Sequence, residues 1–147
     1  MQNLDFPQPE PQTYEIPDEV LHSLSKSVLI LEDDPAFADM VKRTLEEQDY
    51  RVKVVPTGAE GVQQILAADF DAILCDMVMP NFPGDMFYMA VQRTRPHLCR
   101  RFIFMTGHQD NPKITQFIEQ SGCPALWKPF QMRQLFTALE TITNRGK

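Results

Sequence analysis

The sequence predicts an α/β fold: a doubly wound, five-stranded parallel sheet with helices on both faces. Three observations predict it. Strand-like and helix-like segments alternate five times from Ser27 onward. The inner strand-like runs, Val28-Leu29-Ile30-Leu31, Ala72-Ile73-Leu74-Cys75 and Phe102-Ile103-Phe104-Met105, are continuously apolar, as strands covered on both faces must be. The segments between them carry apolar residues three and four positions apart and open on proline or capping residues.

Each element has a local reason. "SVLILE" reads as a buried first strand. Asp34 can cap the helix that follows, Pro35 suits its first position, and Phe37, Met40, Val41 and Leu45 share a helical stripe. "RVKVV" alternates, which suits an edge strand with one wet face. Thr57 and Glu60 have the spacing of a capping box and open a helix carrying Val62, Ile65 and Leu66. "AILC" is the third strand, followed by the loop "DMVMPNFPG" and a helix near "DMFYMAVQR". "RFIFM" is the fourth strand. Pro112 starts the next helix and Gly122 ends it, "ALW" is a short fifth strand, and Met132, Leu135, Phe136, Leu139 and Ile142 line one side of the last helix. Five such units give the flavodoxin-like order 2-1-3-4-5, with ligand sites beyond the carboxyl ends of strands 1 and 3.

Composition narrows the function. The 147 residues suit one domain with a real core. The net charge of -6 and the lack of a basic stripe argue against direct nucleic-acid binding. No apolar run approaches the roughly 18 residues of a membrane span, and the N-terminus lacks the pattern of a signal peptide. Cys75, Cys99 and Cys123 lack a CxxC spacing and read as small packing residues in a reducing, cytoplasmic setting. Residues 1–25 stand apart: Pro7, Pro9, Pro11 and Pro17 among acids and glutamines favour an extended arm. Within it, Pro17 can open a short helix near 17–25 that needs a partner surface. The remaining unit is 26–144; with only Asn144 to Lys147 after its last helix, the expected forms are a stand-alone domain or the end of a larger assembly.

The strand ends carry the chemistry. Strand 1 ends in Glu32-Asp33-Asp34, strand 3 in Asp76, strand 4 in Thr106-Gly107 and strand 5 in Lys128-Pro129. Each has an ordinary reading as a cap or a turn. Together they gather three acids on one rim, which repel unless cations are present. A hard divalent cation, Mg²⁺ or Mn²⁺, on Glu32, Asp33 and Asp76 would supply the compensation, with Lys128. A carboxylate is a competent nucleophile toward phosphorus, and Lys128 with the Thr106 hydroxyl would take phosphoryl oxygens. The set offers no strong general base for a second substrate, so it suits receiving and holding a phosphoryl group.

From Lys26 to Asn144 the chain closely resembles the receiver domain of two-component response regulators. The likeness rests on "VLILEDDP", "DAILCDMVMPNFPG", "FIFMTG" and "WKPF" in this order and spacing. It implies that Asp76 is the phosphoacceptor and that Glu32 and Asp33 bind the metal with Asp76 and the Val78 main-chain carbonyl. It further implies that Thr106 and Lys128 bind the phosphoryl group, and that Pro129 follows a cis bond. Val78 and His108 match positions that tune phosphoryl loss. Valine cannot align a water, so a long-lived phosphorylated state is expected; the plain alternative for His108 is a solvated loop histidine. The resemblance implies a phosphohistidine donor, from a histidine kinase or a histidine phosphotransfer protein. It also implies a downstream protein target on the strand 4–helix 4–strand 5–helix 5 face, and at most self-phosphorylation and self-dephosphorylation as activity.

One departure stands out. Three residues before the lysine, where the family usually carries Tyr or Phe, this chain has Ala125. Trp127 is adjacent to Lys128 but, by strand alternation, points to the opposite face. Two other readings therefore stay open: a degenerate receiver used for docking, and an aspartate-nucleophile phosphatase. The phosphatase normally wants a second acid where Val78 stands. The methionines read as adaptable packing, with Met77 and Met79 beside Phe82 as a candidate surface for a kinase or phosphotransfer helix.

Overall fold

The computed structural model describes residues 6, 7, 10, 11, 15–20 and 25–144. Its elements are β1 (Ser27–Leu31), α1 (Pro35–Glu47), β2 (Arg51–Val55), α2 (Gly58–Ala67), β3 (Ala72–Asp76), α3 (Gly84–Thr94), β4 (Phe102–Thr106), α4 (Pro112–Ser121), β5 (Ala125–Trp127) and α5 (Met132–Asn144). The strands form one parallel sheet in the order β2-β1-β3-β4-β5, as the alternation predicts. A 3₁₀ helix, Pro96–Arg101, enters between α3 and β4, where the sequence pattern signals only a basic stretch. Of the expected helix near 17–25, Asp18 to Val20 are helical, and residues 21–24 lie outside the described set.

The sheet divides the core in two because successive side chains alternate across it. On one face Leu29, Leu31, Ile73, Cys75, Phe102 and Phe104 pack under α2, α3 and α4 through Ile65, Phe87, Val91 and Ile118. On the other, Val28, Ile30, Leu74, Ile103, Met105 and Leu126 pack under α1 and α5 through Val41, Leu45, Leu135 and Leu139. The caps work as the sequence suggests. Asp34 accepts from the Ala36 and Phe37 N–H groups, and Thr57 accepts from the Glu60 N–H. Asn111, a cap not foreseen, accepts from Lys113 and Ile114 and starts α4.

Several side chains sit differently from expectation. Met40 and Leu66, assigned to buried helix stripes, are 43% and 56% exposed. In α1 the stripe is Ala38, Val41 and Leu45 instead. In α2 it is Gly58, Gly61 and Ile65, because α2 lies so close to its neighbours that glycine is needed at the contact. A Cβ on Gly61 would come 2.9 Å from Phe87 of α3. Met86 and Met89 of α3 face outward, whereas Met77 and Met79 are buried. The expected Met77–Met79 docking surface is therefore core: both side chains turn inward beneath the loop that follows β3.

Candidate functional site

The carboxyl ends of β1, β3 and β5 converge. Glu32 directly follows β1, and its N–H donates to the Val55 carbonyl of β2 at 3.1 Å, which fixes the strand end. Asp76 is the last residue of β3 and is buried. Lys128 follows β5, and its N–H donates to the Thr106 carbonyl at 2.8 Å. The Lys128–Pro129 peptide is cis.

Oxygen atoms of Glu32, Asp33 and Asp76 lie within 4.8 Å of one another. Lys128 Nζ donates to Glu32 Oε2 at 2.6 Å and to Asp76 Oδ2 at 3.1 Å. The same Nζ stands 4.4 Å from the Phe37 ring centroid, a cation–π contact that holds the lysine from the α1 side. The second oxygens have main-chain donors: Asp34 N–H to Glu32 Oε1 at 3.2 Å, and Val78 N–H to Asp76 Oδ1 at 3.0 Å. Asp33 is exposed, so the cluster is closed by sheet and helices on one side and open to solvent on the other.

The electrostatics follow from burial. Loss of solvent pushes the Glu32 carboxyl above its usual range; the Lys128 and Asp34 hydrogen bonds pull it back, and the Asp76 charge pushes it up again. Burial alone would lower Lys128, but Glu32 and Asp76 outweigh it and raise its pKa, so the lysine stays charged. One lysine does not balance three carboxylates. An all-oxygen donor set with surplus negative charge and one open side fits a hard divalent ion such as Mg²⁺. Next to Asp76, the Cys75 thiol is fully buried and burial pushes it well above its ordinary value, which leaves it inert.

The structure brings together Glu32, Asp33, Asp76 and Lys128. Thr106 stands at the end of β4, beside them in the sheet, with its hydroxyl accepting from the His108 N–H at 3.1 Å. Val78 is 44% exposed beside Asp76, and His108 is exposed. Ala125 and Trp127 pack with the α2–α4 face of the core, opposite the α1 face that Lys128 meets through Phe37. Trp127 is paired in register with Thr106, and Ala125 with Phe104.

Sequence reasoning missed Gly84. Its N–H donates to the Met77 carbonyl at 3.1 Å, and an added Cβ would stand 2.5 Å from the Asp76 carbonyl oxygen. Gly84 therefore lets α3 start directly against the Asp76 main chain. The "NFPG" turn signalled a glycine but not what it must approach.

Comparison with known proteins bears on the domain that carries this arrangement. A family model described as the response regulator receiver domain matches residues 28–140. Among curated relatives, the transcriptional regulatory protein TcrA of Mycobacterium tuberculosis is 24% identical over 119 residues, which cover 81% of this chain and 46% of TcrA. The sensor kinase CckA of Brucella abortus is 26% identical, over 82% of this chain and 13% of its own length. The chain thus spans about half the length, or less, of these relatives. Among solved structures, the Vibrio cholerae chemotaxis protein CheY4 superposes with a TM-score of 0.72 at 27% identity, over 80% of this chain and 98% of CheY4. A receiver domain protein of Methanospirillum hungatei gives 0.75 at 26% identity, over 82% and 94%.

Proposed function

Because the chain belongs to the response regulator receiver domain family, a signalling family of two-component systems, we propose that it accepts a phosphoryl group on Asp76. The observation that carries this reading is the Lys128 ammonium bridging Glu32 and Asp76 at 2.6 and 3.1 Å, within an acid cluster that fits a divalent ion. An Asp76 oxygen attacks phosphorus of a phosphohistidine on a kinase or phosphotransfer partner. The P–N bond breaks, an acyl phosphate forms, and the imidazole leaves with the electron pair. When bound, a Mg²⁺ ion would be held by Glu32, Asp33, Asp76 and the Val78 carbonyl, and would supply charge neutralisation for the phosphoryl oxygens. Lys128 exchanges its contact with Asp76 for one with the phosphoryl group. The Thr106 hydroxyl, which a side-chain rotation frees from the His108 N–H, takes another oxygen.

The modified Asp76 biases the β4–α4–β5–α5 face between two states, which a downstream protein reads. In this reading residues 26–144 are the working unit, the partners are proteins rather than nucleic acid, and the compartment is the cytoplasm. Val78 has no proton to give or take, which disfavours a phosphatase and favours a long-lived phosphoryl group; His108, exposed beyond Thr106, would tune that lifetime.

Incubation with acetyl phosphate and Mg²⁺, followed by intact mass, tests the reading. One phosphoryl adduct is expected, absent in Asp76→Asn. No adduct, or one that survives the substitution, overturns it. A phosphoryl lifetime of seconds in Mg²⁺ overturns the role given to Val78.

A further inference from the structure

Lys128 is held by two kinds of contact. Its Nζ donates to Glu32 Oε2 and Asp76 Oδ2 at 2.6 and 3.1 Å, and it lies over the Phe37 ring, 4.4 Å from the centroid. Two acids are the ordinary partners of an ammonium. The ring calls for another reason, because the first turn of α1 has no helix-forming need of an aromatic residue.

Local structure delivers that ring. Asp34 caps α1 and accepts from the Phe37 N–H at 3.2 Å, which fixes the turn that carries it. The Asp34 N–H donates in turn to Glu32 Oε1 at 3.2 Å. The contacts close a circuit: Glu32 holds Lys128 and Asp34, Asp34 holds the Phe37 main chain, and the Phe37 ring meets Lys128. The ring also meets Phe130 edge-on, with centroids 5.8 Å apart and planes at 89°. Phe130 lies two residues beyond Lys128, so the aromatic pair ties α1 to the segment that carries the lysine. Both rings are half-buried and pack against the core under α1 and α5.

The ring differs in kind from the acids. Glu32 and Asp76 belong to the acid cluster that fits a divalent ion, so with an ion bound Lys128 has to share their charge. The ring face attracts the ammonium through its quadrupole and takes no part in ligating a metal. Lysine is a flexible four-carbon side chain, and this one is 24% exposed. The contact that persists when the carboxylates are shared decides where Nζ waits.

We propose that Phe37 is a positioning residue for phosphoryl binding: its ring face keeps the Lys128 ammonium beside Asp76, where it meets an oxygen of the incoming group. The role runs through Lys128 alone, and it rests on the reading of Asp76 as phosphoacceptor.

Two measurements test it. The first is proton resonance of the lysine side chains in chelator, with no phosphoryl group present. In the unaltered chain the Lys128 Cε protons should resonate upfield of those of the other lysines, because a ring face shields what lies over it. Phe37→Leu should return them to the ordinary position, and Phe37→Tyr should keep the shift. An ordinary position in the unaltered chain overturns the proposal.

The second is calorimetric titration with beryllium fluoride and Mg²⁺. Phe37→Leu keeps an apolar side chain but removes the ring, and it should weaken binding about three- to tenfold. Phe37→Tyr, which restores the ring face, should bind within about twofold of the unaltered chain. Equal affinity in Phe37→Leu overturns the proposal. Weakening that Phe37→Tyr shares overturns it too, since the effect would then belong to packing at this position. If the unaltered chain binds no beryllium fluoride at all, the phosphoacceptor reading fails first and the role of Phe37 falls with it.

Discussion

Lys128 Nζ stands closer to Glu32 than to Asp76, at 2.6 against 3.1 Å, so the lysine is anchored mainly by the acid that ends β1. It can therefore turn toward a group attached to Asp76 without losing its shorter ion pair. That pairing also makes the lysine a structural counter-charge. Lys128→Met leaves Glu32 and Asp76 facing each other, nearly buried, with no cation. Removing one partner of a fully buried pair costs about 3–5 kcal/mol; the partial exposure of Lys128 lowers the expected loss to about 2 kcal/mol. Urea denaturation in chelator should show this loss, and saturating Mg²⁺ should recover part of it.

Mg²⁺ should stabilise the folded chain through the acid cluster. A ligand that binds only the folded state at 100 times its Kd adds about 2.7 kcal/mol. Thermal unfolding with and without Mg²⁺ should show an upward shift that Asp33→Asn largely abolishes. Asp33 is exposed but adds to the surplus negative charge, so that substitution should leave the metal-free melting point unchanged or slightly higher. A shift of equal size in Asp33→Asn would remove that residue from the ligand set.

Gly84→Ala should weaken the site without altering any polar side chain. The new methyl would meet the Asp76 carbonyl oxygen at 2.5 Å and the Met77 Cα at 2.9 Å, both main-chain atoms that cannot swing aside. A loss of about 1–3 kcal/mol is expected from this overpacking. Phosphoryl uptake from acetyl phosphate should also slow, because α3 can relieve the contact only by pushing the Asp76 main chain. Unchanged stability would show that the start of α3 moves freely.

Much of this was legible in the sequence, for a physical reason. A buried parallel strand must be apolar along its whole length, so β1, β3 and β4 announce themselves, and their first polar residues mark the rim. Glu32, Asp76 and Lys128 were found because strand ends are where side chains leave the core. Helix faces were harder. Three- and four-residue spacing permits several overlapping stripes, and which one turns inward depends on the neighbour. Met40 and Leu66 thus read as core, although Ala38, Gly58 and Gly61 take the contacts. Gly84 reads as a turn residue until the Asp76 carbonyl is seen against it. Met77 and Met79 lie in a loop with no period at all, so their burial could be known only from the fold.

Asp69 ties the start of β3 to the 3₁₀ helix through His97 at 3.0 Å and Arg101 at 3.2 Å. Partial burial would raise its carboxyl, but the hydrogen bonds from His97 and Arg101 outweigh this and hold it below its ordinary 3.8. A lowered folded value means the contribution is present above the ordinary range and fades as pH falls through the folded value. Asp69 is over half exposed, so solvent screening limits the gain to about 0.5–1 kcal/mol. Asp69→Asn should cost that much at neutral pH and nothing well below pH 3.8. Urea midpoints at the two pH values check the difference, and an equal cost at both would assign the effect to packing.

Trp127 is the protein's one tryptophan, and it lies in register with Thr106 on the neighbouring strand. Register partners in a parallel sheet point to the same face, so the half-buried indole neighbours the Thr106 hydroxyl across β4 and β5. Ala125, two residues earlier on that face, leaves Trp127 as the large side chain of β5 there. If Thr106 leaves the His108 N–H to meet a phosphoryl group, the packing around Trp127 has to adjust. Beryllium fluoride with Mg²⁺, a phosphoryl mimic, should therefore change the emission of the unaltered chain. Asp76→Asn should abolish the change, because nothing binds. Thr106→Ala should suppress it while mimic binding persists, which titration calorimetry can establish. Emission that shifts equally in Thr106→Ala would separate Trp127 from the hydroxyl and place the readout elsewhere on the β4–α4–β5–α5 face.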